Sequence, residues 1–179
     1  MTAAEGGPVE CIGVTGHVQV DEGVATWIAR AFAERLGRRA GRPLHGVTCL
    51  AQGADQIFAQ AVLDLNGTFD VLLPAADYAA CMATTDNARL FRNLLGRARS
   101  VRTMPFETSS REAYLAASLA MLRRCDLLLA AWNGLPSRNV GDTADVVAKA
   151  HQRQVPVEVV WPPEPGPAPV TPGPAPGPG

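Results

Sequence analysis

Short apolar runs rich in β-branched residues alternate with longer stretches whose apolar residues recur at helical spacing, and this continues from residue 9 to residue 161. No other feature limits the possible folds so strongly. The fifth run, 126–132 (DLLLAAW), is apolar almost throughout. A strand with one wet face alternates polar and apolar residues, so an unbroken run belongs in a parallel sheet covered on both sides. The other strand-like runs are 9–15, 44–50, 68–73, 100–104 and 155–161. Between them helical spacing predicts helices over 22–39, 55–65, 110–124 and 143–153, and a less regular region with helical pattern at 87–98. Strand–helix alternation of this length implies βαβ units. The expected fold is therefore a three-layer, Rossmann-like α/β domain over 9–161, with a mainly parallel sheet of five to six strands and helices on both faces.

Outside that span the chain reads differently. Residues 1–8 carry neither a basic nor an apolar stretch, so they read as a flexible amino terminus and not as a signal peptide. Nine of the fifteen prolines fall in 162–179, interleaved with Gly and Ala, which predicts a disordered or polyproline-like tail. Such a tail could recruit a proline-recognition domain, although no basic residue flanks it.

Bulk properties narrow the function classes. A formal net charge of −1 offers no electrostatic reason for nucleic-acid binding, so none is expected. No apolar run is long enough for a bilayer, so no membrane partner is expected either. The four cysteines are scattered, which suits buried reduced thiols better than disulfides or a metal site, and a cytoplasmic protein is expected. No cofactor and no metal motif is indicated.

In open parallel sheets ligands bind beyond the carboxyl ends of the strands, where the connections diverge. Three loops meet that rule. Thr15, Gly16 and His17 follow the first strand; the glycine permits close backbone approach and His17 could donate to a phosphate or ribose. The spacing of Gly13 and Gly16 is not the G-x-G-x-x-G dinucleotide fingerprint. Gln52, Gly53, Ala54 and Asp55 follow the second strand, with Asp55 either capping a helix or holding a ligand hydroxyl. Asn133, Gly134, Gly141, Asp142, Thr143 and Asp145 follow the fifth, where amides, a hydroxyl and two carboxylates converge on one helix start. Helix capping alone would also explain Asp142 and Thr143. Tyr78 could overhang the site and stack on a base, or simply pack.

At these loops IGVTGH (12–17), QGAD (52–55), LLPAADY (72–78), EAYLAASLAMLRRCDLLLAAWNG (112–134) and GDTADVVAKA (141–150) occur in order. Together they resemble the SLOG superfamily, which includes the lonely-guy phosphoribohydrolases and the DNA-processing A proteins. The resemblance implies a nucleotide or nucleotide-derived ligand touching Gly16, Gly53, Gly141 and Thr143, and a homo-oligomer. Where lonely-guy enzymes carry P-G-G-x-G-T-x-x-E, this chain has NVGDTAD, with Asp142 in a glycine position and Asp145 as the carboxylate. The same segment is similar to nucleoside 2-deoxyribosyltransferases at Asp126, Asn133 and DTAD, with Glu112 loosely placed for their nucleophile. Three functions follow: a module binding or sensing a nucleotide-derived molecule, an enzyme acting on an N-glycosidic bond through Asp145, and a scaffold working through its tail.

Overall fold

The computed structural model describes residues 9–39, 43–83, 87–136 and 141–163. The amino-terminal stretch 1–8 and nearly all of the proline-rich tail lie outside the described residues. The elements in chain order are β1 (Glu10–Gly16), α1 (Glu22–Gly37), β2 (Leu44–Thr48), α2 (Ala54–Asp64), β3 (Thr68–Leu73), α3 (Tyr78–Ala83), α4 (Ala88–Arg97), β4 (Ser100–Thr103), α5 (Arg111–Leu122), β5 (Leu127–Ala131), α6 (Thr143–Gln152) and β6 (Val157–Val159). They form the expected α/β architecture. One six-stranded sheet has the order β4-β3-β2-β1-β5-β6, and every neighbouring pair is parallel.

Strand alternation divides the core in two. Ile12 and Val14 of β1, Phe69 and Val71 of β3, and Leu127 and Leu129 of β5 face one layer, where Ile28, Phe32, Phe58 and Phe91 bring in α1, α2 and α4. Val47, Leu72 and Leu128 face the other layer, against Ala117 and Met121 of α5 and Val146 of α6. Because β5 is clad on both sides, all five of its residues are buried, which accounts for its unbroken apolar run.

Local signals fix the helix starts. Asp21 caps α1 by accepting from the Val24 amide at 2.8 Å, and Ser110 caps α5 by accepting from Ala113 at 3.2 Å. Two elements differ from the sequence expectation. The six-residue α3 carries too little periodicity to be read, and Asp77 anchors the chain just before it by accepting from the Ser109 amide and hydroxyl at 2.8 and 2.7 Å. β6 is shorter than the apolar run 155–161, since Pro156 has no amide to contribute to a ladder. Cys125 is buried and Cys11 and Cys49 partly so, but Cys81 is exposed, contrary to the expectation of buried thiols. Among the described residues, no helix is long and apolar enough to cross a membrane.

Candidate functional site

The chain steps from β1 outward through β2, β3 and β4, then returns to place β5 and β6 on the other side of β1. Connections therefore diverge between the carboxyl ends of β1 and β5, where Gly16 lies in register with Ala131. A crevice is expected at such a switch point. A cavity of about 620 Å³ opens there, within the range of small-molecule sites.

Gly16 is required by packing as much as by any ligand: a Cβ there would come within 2.4 Å of the Ala54 Cβ and 2.8 Å of the Ala131 Cβ. Gly53 has φ of +85°, and a Cβ would stand 2.5 Å from the His17 carbonyl oxygen. These contacts press the β2–α2 loop against the β1–α1 loop, and the Ala54 amide donates to the His17 carbonyl at 3.4 Å. His17 packs edge-on against Trp161, ring centroids 5.1 Å apart, and its Nε2 accepts from the Asn133 amide at 3.5 Å. The Asn133 side chain in turn accepts from the Leu135 amide at 3.1 Å, folding the start of the β5–α6 connection onto itself.

Asp55 lines the cavity yet is only 6% exposed. Three donors converge on its Oδ2: the Thr48 hydroxyl at 2.9 Å and the Cys49 and Ala51 amides at 3.1 and 3.4 Å. Burial pushes its carboxyl up to about 6, against the pull of those hydrogen bonds. The neighbouring Cys49 thiol is pushed up by burial and by Asp55, so it is held as a thiol.

At the start of α6 two aspartates serve each other. Asp142 Oδ1 accepts from the Asp145 amide at 3.0 Å, and Asp145 Oδ2 accepts from the Gly141 amide at 2.8 Å. This resembles a capping box, with the return bond made to the residue before the cap. Thr143 and Ala144, the first two residues of α6, line the cavity, and their amides have no acceptor within the helix.

Of the residues singled out in the sequence, Thr15, Gly16, His17, Asp55, Asn133, Gly141, Asp142 and Thr143 line this cavity. Gly53, Ala54, Gly134 and Asp145 do not; Gly53 and Ala54 lie behind the lining and Asp145 is turned to Gly141. Tyr78 is 4% exposed and packs edge-on against Phe91 and Tyr114 at 6.1 and 5.9 Å, so it backs the wall and does not overhang it. Glu112 is absent from the lining as well.

Sequence reasoning missed the wall supplied by α5: Arg111, Tyr114 and Ser118. Their spacing, i, i+3 and i+7, marks one face of a helix, and this polar stripe was the available signal. The Arg111 side chain forms no hydrogen bond or ion pair among the described residues. Among the described residues, no three His, Cys, Asp or Glu side chains are grouped to hold a metal ion.

No protein-family model matches the chain, and no curated protein matches it. Solved structures do. DNA processing protein A from Streptococcus pneumoniae superposes with a TM-score of 0.65 at 16% identity, over 84% of this chain and 50% of that one. DNA processing protein A from Helicobacter pylori, described for its single-stranded DNA binding mode, gives 0.58 at 16% identity over 84% and 64%. The molybdenum cofactor carrier protein of Chlamydomonas reinhardtii gives 0.51 at 16% identity over 85% and 76%. This chain thus shares its fold with DNA processing protein A and with the molybdenum cofactor carrier protein, and spans about half the length of the Streptococcus protein.

The expectation of no nucleic-acid partner is overturned, because a protein of this fold binds single-stranded DNA. The net charge of −1 misled because it sums the whole surface. Residues 87–106 hold five arginines, Arg89, Arg92, Arg97, Arg99 and Arg102, and no acidic residue.

Proposed function

We propose that this protein binds a nucleotide-derived small molecule in the cavity between the carboxyl ends of β1 and β5, with a phosphate seated between Arg111 and the start of α6. One observation carries this reading: a guanidinium that makes no ion pair among the described residues and a helix amino terminus line the same cavity. Arg111 is exposed at the cavity mouth, and its guanidinium together with the first amides of a helix supplies donors and positive polarity suited to an anion. Asp142 and Asp145 oppose a phosphate less than their charges suggest, because both carboxylates accept backbone amides of the α6 start. Tyr114, Trp132 and His17 supply flat apolar walls suited to a ring. Sharing a fold with a molybdenum cofactor carrier is consistent with small-molecule binding.

Thermal unfolding against nucleoside monophosphates, nucleotide sugars and ADP-ribose derivatives tests the proposal. A binder at a hundred times its Kd should stabilise the fold by about 2.7 kcal/mol. A panel in which no compound raises the midpoint would remove it.

A second reading, turnover at an N-glycosidic bond, is favoured by Asp55. Asp55 is a carboxyl that lines the cavity and titrates at about 6, a suitable poise for proton transfer near neutrality. Base release from nucleoside monophosphates by wild type, lost in Asp55→Asn with ligand binding retained, would establish it; no base release by wild type would dismiss it.

A further inference from the structure

A second cluster of charge lies at the opposite end of the sheet. Asp70, the third residue of β3, is 1% exposed. Arg99 grips it bidentately, Nε to Oδ1 and Nη2 to Oδ2, both at 3.0 Å, and Arg124 Nη2 donates to the same Oδ2 at 2.6 Å. Burial alone would raise the Asp70 carboxyl, but hydrogen bonds from Arg99 and Ser100 hold it down to about 2.

One carboxylate neutralises one guanidinium. Arg99 already satisfies Asp70 with a fork that needs no help, so the charge of Arg124 is surplus. Among the described residues Arg124 makes no ion pair besides the one to Asp70. His45, whose Nε2 lies 3.3 Å from Arg99 Nη2, is kept neutral by burial, which Arg99 reinforces and Asp70 opposes. The Cys11 thiol is also neutral. Asp126 also acts on this cluster and partly offsets its positive charge; it is exposed, accepts from the Cys11 amide at 2.9 Å, and among the described residues makes no ion pair with either arginine. Side chains of Arg99 and Arg124 remain 56% and 39% exposed, so donors not used on Asp70 reach solvent. Arg102 lies two residues beyond Ser100 on the same face of β4, inside the stretch 87–106 that has no acid.

We propose that Arg99 and Arg124, clamped side by side on the buried Asp70, form an oxyanion site at the amino end of the sheet that takes the phosphate of a free phosphorylated molecule or of a nucleic-acid backbone. Holding two like charges on one buried carboxylate costs energy in the unliganded protein, and a bound phosphate relieves it. The arginines are pre-organised, so little side-chain entropy is lost on binding. This site is independent of the cavity and of any ligand there.

The test uses the full chain, with inorganic phosphate and a short oligothymidylate titrated separately at constant ionic strength, chloride serving as control. The readout is the NMR shift of the Arg99 and Arg124 Nε–H and Ser100 amide resonances. Saturable shifts with phosphate alone identify a free phosphate group as sufficient, and saturation only with the oligonucleotide identifies the backbone; both support the site. Arg124→Gln leaves the Arg99–Asp70 pair intact and should weaken binding about tenfold, with Arg124→Lys recovering part of it. Arg111→Gln, a cavity variant, should leave these shifts unchanged. No saturable shift in wild type with either probe, or an unchanged response in Arg124→Gln, would overturn the proposal.

Discussion

Thr48 at the end of β2 donates its hydroxyl to Asp55 in the first turn of α2 at 2.9 Å, so the strand end and the helix start are tied through a buried carboxyl. That tie has a pH signature. Asp55 ionises at about 6 in the folded chain and nearer 4 when unfolded, so between those values the native state holds the extra proton. Its contribution to stability is then complete below pH 4 and lost as pH rises through 6, by about 3 kcal/mol at most. Urea unfolding of wild type and Asp55→Asn across this range should show their stability difference shifting against wild type as pH rises, then levelling above about pH 7.

Asp70 has the opposite sign. Its folded pKa, about 2, lies below the ordinary carboxylate value, so it stabilises the fold above pH 4 and the contribution fades as pH falls from 4 toward 2. Asp70→Asn should flatten the acid limb of the stability profile in that lower window and leave the Asp55 window untouched.

Gly53 and Gly37 separate strain from flexibility. Gly53→Ala forces a left-handed φ on an L residue and drives a Cβ into the His17 carbonyl, so it should lower stability by about 2 kcal/mol or more. Gly37→Ala ends α1 with open space around the new methyl, and should raise stability by about 0.5 kcal/mol. Thermal unfolding midpoints of the two variants should move in opposite directions.

Asp142 and Asp145 hold the start of α6 together. Asp142→Ala removes the N-cap and should cost about 1 kcal/mol, with Asp145→Ala costing a similar amount through the freed Gly141 amide. Because the two carboxylates serve one structure, the double variant should cost less than the sum. Chemical unfolding of the three variants measures that coupling directly.

Much of the fold was legible because each strand and most helices carry their own signal. Residues 127–131 announce burial on both faces, and Asp21 and Ser110 sit where caps are expected. Strand order was not, since nothing local in β5 says that it returns to pair with β1. The same boundary divides the candidate site. The loops at Thr15–His17, Asp55 and Gly141–Thr143 follow from the rule for parallel sheets, whereas Arg111, Tyr114 and Ser118 enter from a helix whose position depends on the sheet order. Tyr78 shows the converse: its place after Pro74 suggested a rim, but aromatic packing against Phe91 and Tyr114 draws it into the core. Whole-chain charge hid the arginines of 87–106 because acids elsewhere balance them.

In the proposed function Arg111 anchors a phosphate in the strand-end cavity. Isothermal titration of the best-stabilising nucleotide, its dephosphorylated nucleoside and the Arg111→Gln variant tests it most directly. Saturable binding of the nucleotide to wild type is expected, with affinity at least about tenfold lower for both the nucleoside and the variant. Equal affinity of wild type and Arg111→Gln for the nucleotide would contradict it.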